Sequence, residues 1–283
     1  MTKLLGLLTV FLAVFGGYWL ASGKLLALWQ PFEIIIIVGA AMGAFVIANP
    51  LSVVKDTFKG VGSVFRGSEY GRNLYLDLLL LLFRLFGKVR REGLIALERD
   101  IDDPKSSKLF RKHIYIMRNK EALEFITDYM RLVIIGDMSA YELESLMETE
   151  IDNMHKAKLA PVDALYKSAD ALPGFGIVAA VLGIVITMQA LGGEPEELGY
   201  HIAAALVGTF IGIFLAYGVV GPLASALEQQ VSNDVKFFEC IKSAIVASIN
   251  GVPPQVAVEF ARKSMSVKYR PGFNELEKRI RST

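Results

Sequence analysis

The stretch ALPGFGIVAAVLGIVITMQALGG, residues 171–193, decides the fold of this 283-residue chain, because it contains no charged side chain from end to end. A helix rises about 1.5 Å per residue, so a run of this length spans the roughly 30 Å hydrocarbon layer of a bilayer. Three further uncharged runs, residues 4–23, 34–54 and 198–227, are of similar length. The sequence therefore predicts an all-α integral membrane protein with four transmembrane helices. The predicted organisation is residues 1–54 for the first two transmembrane helices, 55–170 for a helical domain, 171–227 for the third and fourth transmembrane helices, and 228–283 for a helical tail.

Composition agrees with that division. Hydrophobic residues make up 53% of the chain and charged residues 21%, with a mean hydropathy of +0.43. Such a chain is too apolar for an ordinary soluble domain and too charged to lie wholly in lipid. Of the 30 Lys and Arg, 19 fall between residues 51 and 170 and 9 after residue 227. Short loops on the inner side of a membrane collect Lys and Arg. The segment of Glu194, Pro195, Glu196 and Glu197 has no basic residue, and residues 21–31 have only Lys24. Both termini and the 55–170 domain are accordingly expected in the cytoplasm. Lys3, the apolar run after it and Ala21-Ser22-Gly23 have some features of a cleavable leader, but the run is longer than a signal core, and the first span is expected to remain. Cys240 is the single cysteine, which precludes an internal disulfide and fits a reducing compartment.

Outside the four runs the pattern is helical. Ser68-Glu69 is a candidate start for a helix through Leu74, Leu78, Leu82 and Leu85, in which Asp77, Arg84 and Lys88 interrupt what would otherwise read as a fifth span. Helical patterns follow at residues 108–118, 122–135 and 140–159, with Asp103-Pro104 and Gly136-Asp137 as breaks. Residues 224–249 read as a long helix, and Pro253-Pro254 separate it from a short one over residues 256–265.

The chemistry-bearing signatures are mostly negative. No phosphate-binding glycine loop, nucleophile elbow or His/Cys set at metal-ligand spacing occurs, and His113, His155 and His201 are scattered. An enzyme, a cofactor and nucleic-acid binding are not expected. The four apolar runs also lack Asp, Glu, Lys and Arg, the usual ion-carrying groups of membrane spans, so an ion carrier of this type needs a carboxylate from a partner.

The third and fourth runs each hold a stripe of small residues. Gly176, Ala180, Gly183 and Thr187 share one helical face, and Ala205, Thr209, Gly212 and Ala216 repeat the spacing. Two readings follow: the helices pack on each other, or they line a path around another protein's membrane helix. Ala180 and Thr209 lie near the expected midplane. Pro173 and Pro222 frame the same two helices. Pro173 is expected in a first turn, where proline is tolerated, and Pro222 at a hinge leading out of the fourth span.

These residues carry a resemblance. Leu172-Pro173-Gly174-Phe175-Gly176-Ile177-Val178-Ala179-Ala180-Val181-Leu182-Gly183, Val207-Gly208-Thr209-Phe210-Ile211-Gly212 and Leu97-Glu98-Arg99-Asp100 resemble the MotA family of flagellar motor stator subunits, within the wider MotA/TolQ/ExbB proton channel family. The likeness runs from Gly16-Gly17 to Val258-Glu259-Phe260-Ala261-Arg262-Lys263. It implies an inner-membrane homo-pentamer around a dimer of a MotB-type subunit that supplies the membrane aspartate, with torque passed to the rotor protein FliG. Arg90 and Glu98 match the family's rotor-contacting charges, and Pro173 and Pro222 its two functional prolines. Arg91 stands seven residues before Glu98 and, on a continuous helix, would share its face, so the residues themselves leave Arg90 and Arg91 as alternatives. Sodium-driven relatives tend to have threonine where this chain has Ala180, and alanine offers sodium no oxygen, which favours protons. An energiser like ExbB or TolQ is the second reading, and the additional second span with Gly39 and Gly43 argues against it. A membrane scaffold is the third.

Overall fold

The structure, a computed structural model, describes residues 2–67, 70–189 and 195–281, with Glu197 described by its backbone alone. Ser68 and Glu69, the expected helix start, lie outside the described residues, as does Glu194 of the acidic loop. Among the described residues every regular element is helical.

In chain order the helices are α1 Thr2–Phe11, a π-helical turn Leu12–Gly16, α2 Gly17–Leu20, α3 Pro31–Ala48, α4 Leu51–Arg66, α5 Arg72–Glu92, α6 Glu98–Asp102, α7 Ile114–Arg118, α8 Lys120–Ile135 and α9 Ala140–Gln189. After α10 Pro195–Phe214 and a second π-helical turn Leu215–Val220 come α11 Gly221–Ile249, α12 Pro254–Ser264 and α13 Phe273–Arg281. Four stretches are long and apolar enough to cross a membrane: Thr2–Leu20, Leu25–Ala48, and segments within Ala140–Gln189 and Leu198–Ile249. The second apolar run, read from the sequence as reaching residue 54, ends its helix at Ala48. Pro50 forces the residue before it out of the α region, and Asn49 is extended at φ −130°, ψ 141°.

The chain divides into two compact units, Met1–Gly67 with Lys158–Gln230, and Ser68–Ala157 with Val231–Thr283. In the first unit, Ile37 and Ala41 of α3 are buried among Leu172, Ala179, Val207 and Ile211. The first span has no buried residue in α1 or α2. It meets α10 through aromatic edges, with Phe11 and Phe15 lying 5.1 and 5.2 Å from the Phe214 ring. Helix α4 is amphipathic: Thr57 and Val64 are buried, whereas Leu51, Phe58 and Phe65, seven residues apart, are exposed.

The second unit has a core of large side chains. Tyr75, Leu78, Leu79, Leu81, Leu82 and Leu85 of α5 are completely buried together with Phe237, Phe238 and Ile241 of α11. The three polar residues that interrupt α5 are each engaged. Asp77 accepts the backbone N–H groups of Tyr115 and Ile116 at the start of α7 and lies 2.7 Å from His113 Nδ1. With Nδ1–H donating to Asp77, His113 Nε2 is left to accept from Arg84 at 3.4 Å. Lys88 pairs with Asp100 at 2.6 Å.

Candidate functional site

The stripes on the third and fourth spans face each other across one seam. A Cβ placed on Gly176 would lie 3.0 Å from the Gly208 carbonyl oxygen and 3.2 Å from Gly212 Cα. One on Gly212 would lie 2.7 Å from the Leu172 carbonyl oxygen, and one on Gly183 3.1 Å from Ala205 Cβ. The backbones are in contact, which only glycine and alanine permit. Gly176, Gly183, Thr187, Ala205 and Gly212 are buried, so the part of the stripes expected to surround a foreign helix is taken up by the chain's own neighbouring span. Ala180 and Thr209 differ. Both are half-buried at the edge of this contact. The Thr187 hydroxyl donates to the Gly183 carbonyl at 2.8 Å, as helix threonines in apolar surroundings commonly do, whereas the Thr209 hydroxyl has no partner among the described residues.

Pro173 is placed otherwise than the sequence suggested. Pro173 is not in a first turn: it lies inside the 50-residue helix α9, as does Pro161. Each removes one internal N–H, and Pro173 leaves the Ala169 carbonyl without its helical donor. Pro222 falls in the first turn of α11, directly after the π-helical turn Leu215–Val220. The wider turn absorbs the missing N–H, so the fourth span continues through Pro222 without a break in helix.

Sequence reading missed Glu33. The expectation that no span contains an ionisable group is corrected here, because the second span begins at Leu25 and α3 at Pro31, which encloses Glu33 in its first turn. Pro31 was the available signal, since proline marks the first helical position. Glu33 is 9% exposed, and its Oε2 is buried without a hydrogen-bond partner among the described residues. Its Cγ lies 3.6 Å from where a Cβ on Gly208 would stand. Gln30, one turn earlier, is 3% exposed and accepts the Tyr200 hydroxyl at 3.2 Å.

The charged residues occupy the second unit. Arg90 and Arg91 are exposed in the last turn of α5, and Glu98 is exposed at the start of α6. None of the three makes an ion pair among the described residues. The shared helical face inferred for Arg91 and Glu98 does not exist, because α5 stops at Gly93, whose φ of +85° ends the helix before the turn Ile95–Leu97. Behind them Asp100 is tied down. Partial burial pushes its carboxyl upward, but hydrogen bonds from Lys88 and Ser107, each 2.6 Å long, outweigh that and hold it below the ordinary carboxylate range. Uncommitted charges thus stand beside committed ones.

Comparison with known proteins places the chain. Residues 4–93 match the motility protein A N-terminal family and residues 117–240 the MotA/TolQ/ExbB proton channel family. Motility protein A of Salmonella typhimurium is 44% identical over 282 residues, covering 100% of this chain and 96% of the relative. Chemotaxis protein LafT of Vibrio parahaemolyticus is 42% identical, covering 98% of both. The fold is similar to that in the flagellar MotAB stator complex from Bacillus subtilis, with a TM-score of 0.74 at 24% identity over 97% of this chain and 98% of that one. It is also similar to C. jejuni MotAB, with a TM-score of 0.77 at 21% identity over 94% and 96%. Full-length identity of this degree, on an all-helical chain with four membrane-length apolar helices, establishes that the protein belongs to the motility protein A family within the MotA/TolQ/ExbB proton channel family.

Proposed function

We infer that this chain is the multi-spanning subunit of a bacterial flagellar stator, forming a proton channel with a MotB-type partner and converting ion flow into torque. The single observation that carries the reading is the edge of the seam between the third and fourth spans. Ala180 and Thr209 are half-buried there, with the Thr209 hydroxyl uncommitted, while the rest of the small-residue face is closed. A small and weakly polar margin suits the close approach of a partner helix bearing a carboxylate. Ala180 contributes no side-chain oxygen, which suits a proton better than sodium.

Five copies surround a partner dimer in this reading, in the inner membrane, with both termini and the Lys/Arg-rich unit in the cytoplasm. Pro173 leaves a carbonyl without its helical donor and Pro222 follows directly on a π-helical turn, local departures from regular helix that suit a movement accompanying ion passage. Arg90, with Arg91 beside it, and Glu98 meet opposite charges on the rotor protein FliG. Exposed pairs of this kind contribute at most about 1 kcal/mol to folding, and their value lies in steering and matching a partner.

The test is rotation in cells lacking their own stator. The wild-type chain with its partner should restore swimming. Arg90→Glu and Glu98→Lys should each stop rotation while leaving membrane levels and partner binding unchanged, and a matching reversal on the rotor should restore it. Normal rotation with both reversals would place the rotor contact elsewhere, and rotation that depends on sodium and not on the proton gradient would change the ion.

A further inference from the structure

We propose that Glu33 is a second carboxylate station for the transported proton, contributed by this chain in addition to the one the partner brings. The proposal rests on the stator reading above. Glu33 has 91% of its surface covered, and its Oε2 is enclosed without a donor among the described residues. An enclosed carboxyl oxygen that no donor meets is a place where a proton can be held. Glu33 stands in the first turn of α3, where the field of the helix N-terminus meets it.

The fold brings this group against the fourth span. Gly208 is the residue of the fourth span that Glu33 approaches, and a Cβ added there would come into ordinary contact with the carboxylate stem. A Cβ there would stand 3.3 Å from Ala179 Cβ, 3.5 Å from the Ala180 nitrogen and 3.6 Å from Glu33 Cγ. Glu33 is therefore adjacent to the level of Ala180 and Thr209. On its other side lies the Gln30–Tyr200 pair, in which Gln30 Nε2 is anchored to the Ala27 carbonyl at 3.3 Å. Around these groups the contact between α3 and α10 is apolar, built from Ile37, Val207 and Ile211.

Three polar positions thus succeed one another through an apolar contact: Gln30 with Tyr200, then Glu33, then the Ala180 and Thr209 level. A hydronium ion near the start of α10 breaks one of its O–H bonds as a Glu33 carboxylate oxygen forms one, leaving a water molecule. The proton leaves by breaking that bond and forming one on the partner's carboxylate, which restores the Glu33 anion. Nothing is oxidised or reduced, and the hydronium ion that delivered the proton is the only other reactant.

The experiment uses the full chain with its partner in cells lacking their own stator, with beads on the flagellar stub read near stall and near zero load. Near stall, rotation needs almost no ion transit, so torque reports assembly and force; near zero load, transit sets the speed. Glu33→Gln keeps the shape of the side chain and removes the proton-binding oxygen. It is expected to keep stall torque and lose zero-load speed several-fold, with Glu33→Asp recovering most of that loss. Wild-type speed in Glu33→Gln at both loads overturns the proposal, as does a proportional loss of torque and speed in both variants, which marks a packing residue. Infrared spectroscopy of the purified complex supplies an independent readout: wild type minus Glu33→Gln should retain a protonated-carboxyl band that shifts in heavy water, and its absence overturns the proposal. If the wild-type complex turns no rotor, the stator reading fails, and the infrared difference still decides whether Glu33 binds a proton.

Discussion

The two compact units are both made of helices, yet they are filled with different side chains. In Ser68–Ala157 with Val231–Thr283, the interior is Tyr75, Leu78, Leu82, Phe110, Phe237 and Phe238, all completely buried. In Met1–Gly67 with Lys158–Gln230, the closest helix contacts pass through Gly176, Gly183, Ala205 and Gly212, while Leu4, Leu5, Leu8 and Leu12 are exposed. Water drives large apolar groups together in proportion to the area they hide. Lipid supplies no such drive, so helices associate by bringing backbones close and by van der Waals fit. The same residue type therefore has opposite meaning in the two units: leucine holds the second together and merely faces outward on the first span.

Substitutions test that contrast, and the largest effect is expected in the leucine and phenylalanine core. Phe237→Ala should cost about 3–5 kcal/mol through lost burial and the cavity left behind, read as a lower denaturation midpoint or a lower membrane level of the complex. Next comes the seam. Gly212→Ala places a methyl 2.7 Å from the Leu172 carbonyl oxygen, and overpacking of that kind costs about 1–3 kcal/mol; thermal unfolding in mild detergent measures it. Gly39→Ala is the matched control, because a Cβ there meets nothing within 4 Å. If Gly39→Ala is as damaging as Gly212→Ala, the second span packs against another chain in the assembly and the comparison must include it.

A smaller effect is expected at Asp100. Its carboxyl is held below the ordinary range in the folded chain, so its stabilising contribution is present at neutral pH and is lost as pH falls through that depressed value. Asp100→Asn should cost about 1–2 kcal/mol at neutral pH through the lost charged hydrogen bonds and should flatten the acid side of the stability profile. The smallest effect is at Arg90, whose exposed charge is expected to change stability by less than about 0.5 kcal/mol when reversed, even where rotation is abolished. A large loss of stability in Arg90→Glu would move that residue from the surface description into the fold.

Much of the fold was legible because charge and apolar length are one-dimensional properties. The four uncharged runs, the breaks at Asp103-Pro104 and Gly136-Asp137, and the long helix ending before Pro253-Pro254 all appear in the structure close to where the residues place them. The errors occurred where a local rule met a neighbour. Asn49-Pro50 ends the second span early although the residues around it are uncharged. Pro173, which by position reads as a first-turn residue, sits mid-helix because the helix before it runs straight into the span. Arg91 and Glu98 are at helical spacing, but Gly93 takes a positive φ between them. The small-residue stripes were legible as periodicity, and no periodicity states which partner a stripe faces.

The sequence by itself determined that the chain is helical, crosses a membrane with four apolar segments and concentrates its basic residues outside them, because the bilayer imposes length and charge limits on each segment separately. It also supplied the family likeness, since that is a matter of residue order. Only the tertiary structure decided that Gly176, Gly183 and Gly212 pack against the opposite span, that Ala180 and Thr209 remain at the edge, that Arg90 and Glu98 are uncommitted while Lys88 and Asp100 are paired, and that Glu33 lies beside Gly208 with its Oε2 enclosed. Each of these is a relation between residues far apart in the chain. Their outcome depends on how closely two backbones can approach, a quantity that no single helix carries in its own sequence.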